Sequence, residues 1–164
     1  MVGTPGLRPA GAGVSRRTLL AASAVAALAG CGEDDEAAPA AEVLLRSLAA
    51  ERALAAATAS GPGVVSRVGE RARERSEKLA SALSAAGGRP HDAPAGEGGD
   101  ASPDEIVSRA SAALDAHVAA LPSLEGPELR ALAADLITGA AADAAILGDE
   151  LDVPVADAFP GSGT

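Results

Sequence analysis

Apolar residues recur every three or four positions in four stretches of the chain, which is the spacing of one face of an α-helix. The stretches cover roughly residues 41–59, 63–86, 102–121 and 127–151, and they are rich in alanine and leucine, which favour helices. The predicted inward positions are Leu44, Leu48, Leu54 and Ala55; Val68, Ala72, Leu79, Ala82, Leu83 and Ala86; Ile106, Ala110, Ala113, Leu114 and Leu121; and Leu129, Leu132, Leu136, Ala140 and Leu147.

Signals at the helix ends support this division. Ser102-Pro103-Asp104-Glu105 combines an N-cap serine, a proline at the first helical position and a glutamate at the third, as in a capping box. Gly87-Gly88 is a natural helix end, and the segment 87–101 that follows is rich in glycine, proline and acids, which is typical of a long flexible loop. We therefore predict an all-α protein, an up-and-down four-helix bundle over residues 41–151, with an irregular tail over residues 152–164.

The chain begins with a basic segment followed by an apolar one. Residues 1–17 hold three arginines and no acid, and residues 18–29 are almost wholly apolar, which is the order of an export signal. Twelve helical residues reach only ~18 Å, which is less than the ~30 Å hydrocarbon core of a bilayer. The motif Leu28-Ala29-Gly30-Cys31 resembles a bacterial lipobox, and Arg16-Arg17 followed by Thr18 resembles a twin-arginine signal.

These motifs predict where the protein is located in the cell. Residues 1–30 would form a twin-arginine-type lipoprotein signal peptide, Cys31 would carry lipid such as palmitate, and residues 31–40 would form a disordered acidic tether. The protein would then be anchored on the outer face of the cell membrane. Since Cys31 is the only cysteine, its acylation would leave no thiol for a disulfide or a redox centre.

The charge of the chain excludes some partners. The precursor has a net charge of −10, and residues 1–30 contribute three arginines and no acid. The mature chain therefore carries 10 basic and 23 acidic residues, a net charge of −13. Such a surface argues against nucleic-acid binding and against electrostatic attachment to anionic lipid headgroups.

Four polar side chains interrupt the apolar stripes, one in each predicted helix: Glu51, Arg75, His117 and Asp143. Charges on a core face are costly unless they are paired, so either the four converge in a buried polar cluster or some of them lie at the solvent boundary. The other charges of the run from Glu70 to Lys78 alternate in sign at helical spacing, which predicts a solvent-facing side.

Four segments of the chain resemble parts of ferritin-like proteins of actinobacterial envelopes. The segment from Glu128 to Leu147 resembles their last helix, and the segment from Val153 to Phe159 is similar to their proline-containing ending. The segments 44–54 and 73–79 resemble their first two helices. The resemblance implies a ferritin-like four-helix bundle in which Glu and Glu-x-x-His positions ligate iron.

The matching positions of this chain depart from that pattern. Glu51 is retained, Arg75 stands in place of a histidine, and Ala140-x-x-Asp143 stands in place of Glu-x-x-His. An arginine is a permanent cation with no lone pair to donate, so we expect the fold to be kept and the iron chemistry to be lost. The metal-ligand positions would thus be degenerate. We expect the protein to hold no metal and no other resident cofactor, and to have no catalytic residue.

We therefore predict a surface-anchored lipoprotein that acts as a structural or interaction protein and is not an enzyme. The alternative is a divergent iron- or manganese-binding protein with redox or storage activity, using Glu51, His117 and Asp143 with Glu74 or Glu77. A third hypothesis is a helical scaffold that pairs through an alanine-rich face, with a second copy or another envelope protein as its partner.

Overall fold

In the computed structural model, which describes residues 40–155, four α-helices account for most of these residues. They are α1 (Ala40–Ala57), α2 (Val64–Ala85), α3 (Pro103–Ala120) and α4 (Pro127–Glu150), with short 3-10 turns at Pro90–Asp92 and Leu121–Ser123. No strand occurs among the described residues, so the predicted all-α class and helical bundle are confirmed. The predicted signal peptide, residues 31–39 of the tether and the tail beyond residue 155 lie outside the described residues.

The helix ends follow from local chemistry. The Ser102 side chain accepts a hydrogen bond from the Glu105 N–H at 3.3 Å, which caps α3, and Pro103 occupies the first turn. At the end of α2 the chain turns through Gly87, whose φ of 82° is left-handed. There the Gly88 N–H bonds the Leu83 carbonyl at 2.9 Å and the Gly87 N–H bonds the Ser84 carbonyl at 3.1 Å, a Schellman ending.

The described residues form three apolar clusters, and the two larger ones give the direction of each helix. One cluster joins the C-terminal parts of α1 and α4 to the N-terminal parts of α2 and α3, through Leu54, Leu147, Val68 and Val107 among others. The other cluster joins the opposite ends of the same helices. Helices α2 and α3 therefore run in one direction, and α1 and α4 run in the other.

The connection between α2 and α3 consequently returns along the length of the bundle. It passes over α1, where Arg52 donates hydrogen bonds to the carbonyls of Pro90 at 2.9 Å and Ala93 at 2.7 Å. The predicted up-and-down order is therefore wrong at this connection, because a loop of this length reaches the far end of the bundle and α3 then begins beside the start of α2. The apolar stripes of the helices do not indicate whether α3 runs parallel or antiparallel to α2.

Helix packing places α1 and α4 on one diagonal and α2 and α3 on the other. Helix α1 packs against α2 and α3, whereas α4 packs closely on α3 and more lightly on α2. Of the described helices, α4 alone is long and apolar enough to cross a membrane by length and composition. However, it contributes Leu136 and Leu147 to the two larger apolar clusters and buries Asp143, as the core helix of a bundle does.

Candidate functional site: a buried polar layer

A layer of polar side chains separates the two larger apolar clusters. It consists of Glu51 from α1, Arg71 and Arg75 from α2, His117 from α3 and Asp143 from α4, and we call it the polar layer. The structure thus brings together all four polar residues that the stripes singled out, and Arg71 joins them. Each of the four shares a helix face with apolar neighbours, and none is more than 6% exposed.

The closest contact in the layer is a two-pronged ion pair between α1 and α2. Arg75 Nε donates to Glu51 Oε1 at 2.6 Å, and Arg75 Nη2 donates to Glu51 Oε2 at 3.0 Å. The Glu51 side chain is fully buried and that of Arg75 is 7% exposed. This planar fork fixes both side chains and satisfies both carboxylate oxygens, which is the arrangement in which arginine binds a carboxylate best.

Asp143 is held by two arginines. Arg75 Nη1 donates to Asp143 Oδ2 at 2.8 Å, so that the guanidinium of Arg75 bridges α1 and α4 across the bundle diagonal. Arg71 donates to the other oxygen, Oδ1, from Nε at 2.8 Å and from Nη2 at 2.5 Å. The Arg71 side chain is 41% exposed, so the polar layer meets solvent on this side.

The position of Arg71 corrects the prediction that every other charge in the run from Glu70 to Lys78 faces solvent. Arg71 lies one helical turn before Arg75, and residues four apart share a face of a helix. Its long aliphatic part allows the guanidinium to reach a buried acceptor from the edge of the core. The i,i+4 spacing from Arg75 was the available signal in the sequence.

His117 completes the layer from α3. Its Nε2 lies 2.7 Å from Glu51 Oε1, so this nitrogen must carry the hydrogen that is shared with the carboxylate. Its Nδ1 is buried and makes no hydrogen bond to any described residue. In the neutral ring the proton therefore lies on Nε2, and Nδ1 is left with an unshared electron pair.

Charge within the layer is balanced when His117 is neutral, since two guanidinium groups face two carboxylates. The pKa of Arg75 lies above its ordinary value. Burial alone would lower this pKa, but the hydrogen bonds and negative charges of Glu51 and Asp143 outweigh that effect. Arg75 is therefore a fixed positive charge at the centre of the bundle.

The arrangement does not fit a metal centre. The carboxylate oxygens of Glu51 and Asp143 all accept hydrogen bonds from guanidinium or imidazole groups, and the Arg75 cation lies between the two carboxylates. Within residues 40–155, no three His, Cys, Asp or Glu side chains are placed to hold a metal ion together. Glu74 and Glu77, the additional ligands of the alternative hypothesis, are both exposed and outside the layer.

Comparisons with known proteins add no identification. No family model matches the chain, and no curated protein or solved structure matches it significantly.

Proposed function

We propose that this protein is a lipid-anchored, ferritin-like helical bundle that acts as a structural or interaction protein, with an arginine where metal-binding relatives would hold a cation. The observation that carries the proposal is the Arg75 guanidinium, which bridges Glu51 and Asp143 in the middle of the bundle. A single long crossover between its second and third helices, such as the one here, is also found in ferritin-like bundles. The sequence resemblance and the course of the chain therefore support the same fold.

The cation in the polar layer has consequences for chemistry. A metal that entered the layer would have to displace a guanidinium held by three hydrogen bonds and lie beside a fixed positive charge. Both redox and storage activity would need a site that binds metal, and Arg75 opposes that binding. The bundle is therefore better suited to a fixed shape that a partner recognises than to catalysis.

Metal addition tests this proposal directly. The full chain, treated with a chelator and dialysed, should show the same thermal unfolding midpoint with and without Fe²⁺, Mn²⁺ or Zn²⁺, because a ligand that binds only the folded state would raise it. Bound metal is counted by elemental analysis of the same samples. A stoichiometric metal that raises the midpoint, and that is lost in Glu51→Gln, would overturn the proposal in favour of the metal-binding alternative.

The anchor requires a separate test. Cys31→Ala should release the protein from membranes or leave it unprocessed, since each buried methylene of an acyl chain contributes about 0.8 kcal/mol to membrane binding. A surface with a net charge of −13 offers no substitute attraction to anionic lipids. Fractionation of cells that express the parent or the variant measures the share of the protein that is bound to membranes. Equal membrane retention of a correctly cleaved Cys31→Ala protein would refute lipid anchoring.

A further inference from the structure

A groove runs along the outer face of the bundle between α1, α2 and the crossover loop. Its apolar lining consists of small side chains and a glycine: Ala55, Ala56, Ala59, Ala80, Ala95 and Gly96. We call it the alanine groove. The groove is open to solvent and offers about 510 Å³ of space, a volume comparable to that of small-molecule sites, ~300–1,000 Å³. None of the polar-layer residues lines it, so it is separate from the site described above.

The charges on the rim of the groove differ from those of the rest of the protein. Only 10 of the 33 charged residues in the mature chain are basic, yet Arg52 and Arg73 both line this groove, with Glu77 as the one acid. Arg73 makes no ion pair within residues 40–155. The groove is thus an apolar surface with a local excess of positive charge on an acidic molecule.

One of these cations is held in place before any ligand arrives. Arg52 Nη1 donates to the carbonyls of Pro90 and Ala93, at 2.9 and 2.7 Å. These bonds use a single nitrogen of the guanidinium, so the other N–H groups remain able to donate to a carboxylate. A cation that is already ordered loses less conformational entropy when it binds an anion.

We propose that the alanine groove binds a small anionic amphiphile, which is a single carboxylate on a short aliphatic chain. The aliphatic chain would lie along the alanine methyl groups of α1 and α2, and the carboxylate would meet Arg73 and Arg52 at the rim. Charge complementarity selects the carboxylate, because a cationic head would meet two guanidinium groups. This proposal holds whether or not the protein is lipid-anchored.

The test is a titration of the full chain carrying Cys31→Ala with octanoate, octanol and octylammonium below their aggregation concentrations. Alanine methyl groups are observed by ¹³C NMR, which distinguishes the groove from any other binding surface. Octanoate should shift the methyl signals of Ala56, Ala59 and Ala80 saturably and leave that of Ala142, an exposed alanine on α4, unchanged. Octanol should bind about tenfold more weakly, and octylammonium should not saturate these signals.

Two pairs of variants test separately the contributions of the carboxylate head and of the aliphatic chain of the ligand. Arg73→Gln should weaken octanoate binding about tenfold, whereas Arg67→Gln, an exposed arginine on the same helix that does not line the groove, should not. Ala56→Leu should fill the groove and abolish the shifts, whereas Ala142→Leu should have no effect. Equal binding of octanoate and octanol, shifts that spread to Ala142, or octanoate binding that is unchanged in Arg73→Gln would each overturn the proposal.

Discussion

Truncating the ion pair between Glu51 and Arg75 should destabilise the bundle far more when one partner is removed than when both are. Arg75→Ala leaves the fully buried Glu51 carboxylate with His117 as its one remaining partner. Glu51→Ala leaves Arg75 bound to Asp143 alone and leaves His117 Nε2 without an acceptor. In both variants a buried charge loses its principal partner.

The magnitude follows from the cost of a stranded charge. Removing one member of a buried pair costs about 3–5 kcal/mol, which is a large part of the ~5–15 kcal/mol that stabilises a typical domain. In the double variant Glu51→Met/Arg75→Met the remaining Arg71–Asp143 pair is balanced, and the two methionines fill much of the vacated space. Apolar replacement of a buried pair is often neutral or stabilising, but His117 Nε2 also loses its acceptor in the double variant. We therefore expect the double variant to lose about 1–3 kcal/mol, which is less than either single variant loses. A double-mutant cycle compares this double variant with the single variants Glu51→Met and Arg75→Met. The interaction free energy between the two side chains should be about 3 kcal/mol or more.

Urea unfolding followed by circular dichroism at the helix band measures these changes, because the chain has no Trp or Tyr for intrinsic fluorescence. Arg46→Ala is a matched control: Arg46 pairs with Glu42 at 3.1 Å, but both side chains are more than half exposed. That variant should lose at most about 0.5 kcal/mol. If the two single variants proved nearly neutral and strictly additive, the side chains would not form a buried pair, and the reasoning would fail.

Three further predictions test the surroundings of that pair. Arg71→Ala should cost only about 1–2 kcal/mol by urea unfolding, because Asp143 keeps its bond to Arg75; a loss equal to that of Arg75→Ala would contradict this. A cation with a raised pKa stabilises fully below its unfolded pKa and loses this effect only as pH rises through its folded pKa. The stability difference between the parent and Arg75→Met should thus be the same at about pH 7 and pH 10, and a collapse by pH 10 would refute a fixed cation. Gly96→Ala should lower the free energy of unfolding by about 1–3 kcal/mol, because its Cβ would lie 2.3 Å from the Arg52 carbonyl oxygen. Gly98→Ala should be neutral, since a Cβ there would have nothing within 4 Å. Equal effects of the two variants would show that the crossover loop does not rest on α1.

The helices could be predicted from the sequence because local rules fix them. Leucine and alanine at helical spacing, the N-cap at Ser102 and the glycine ending at Gly87 act within a few residues of each other. The four stripe-breaking residues could be placed on core faces for the same reason. That they meet could be expected from the cost of burying unpaired charges, but their bonding pattern depends on which helices are neighbours.

What the sequence could not supply is long-range. The direction of α3 depends on the path of the crossover loop, which rests on contacts such as Gly96 against the backbone of Arg52 and Ala53. The apolar periodicity of the sequence does not predict those contacts. Arg71 was missed because its side chain is amphipathic, and whether its guanidinium turns toward Asp143 or toward water depends on how closely α4 approaches α2.

The polar layer also bears on how an alanine-rich bundle keeps its register. Small, similar side chains can slide past one another by a helical turn and still find an apolar neighbour, so they specify alignment weakly. A one-turn shift of α2 against α1 would move Arg75 about 5 Å from Glu51 and leave both charges buried without their main partner. An analogous shift of α4 would separate Asp143 from both arginines. We therefore expect the layer to contribute more to the uniqueness of the packing than to its net free energy. This would explain why a balanced set of charges lies between two apolar clusters that could have been continuous.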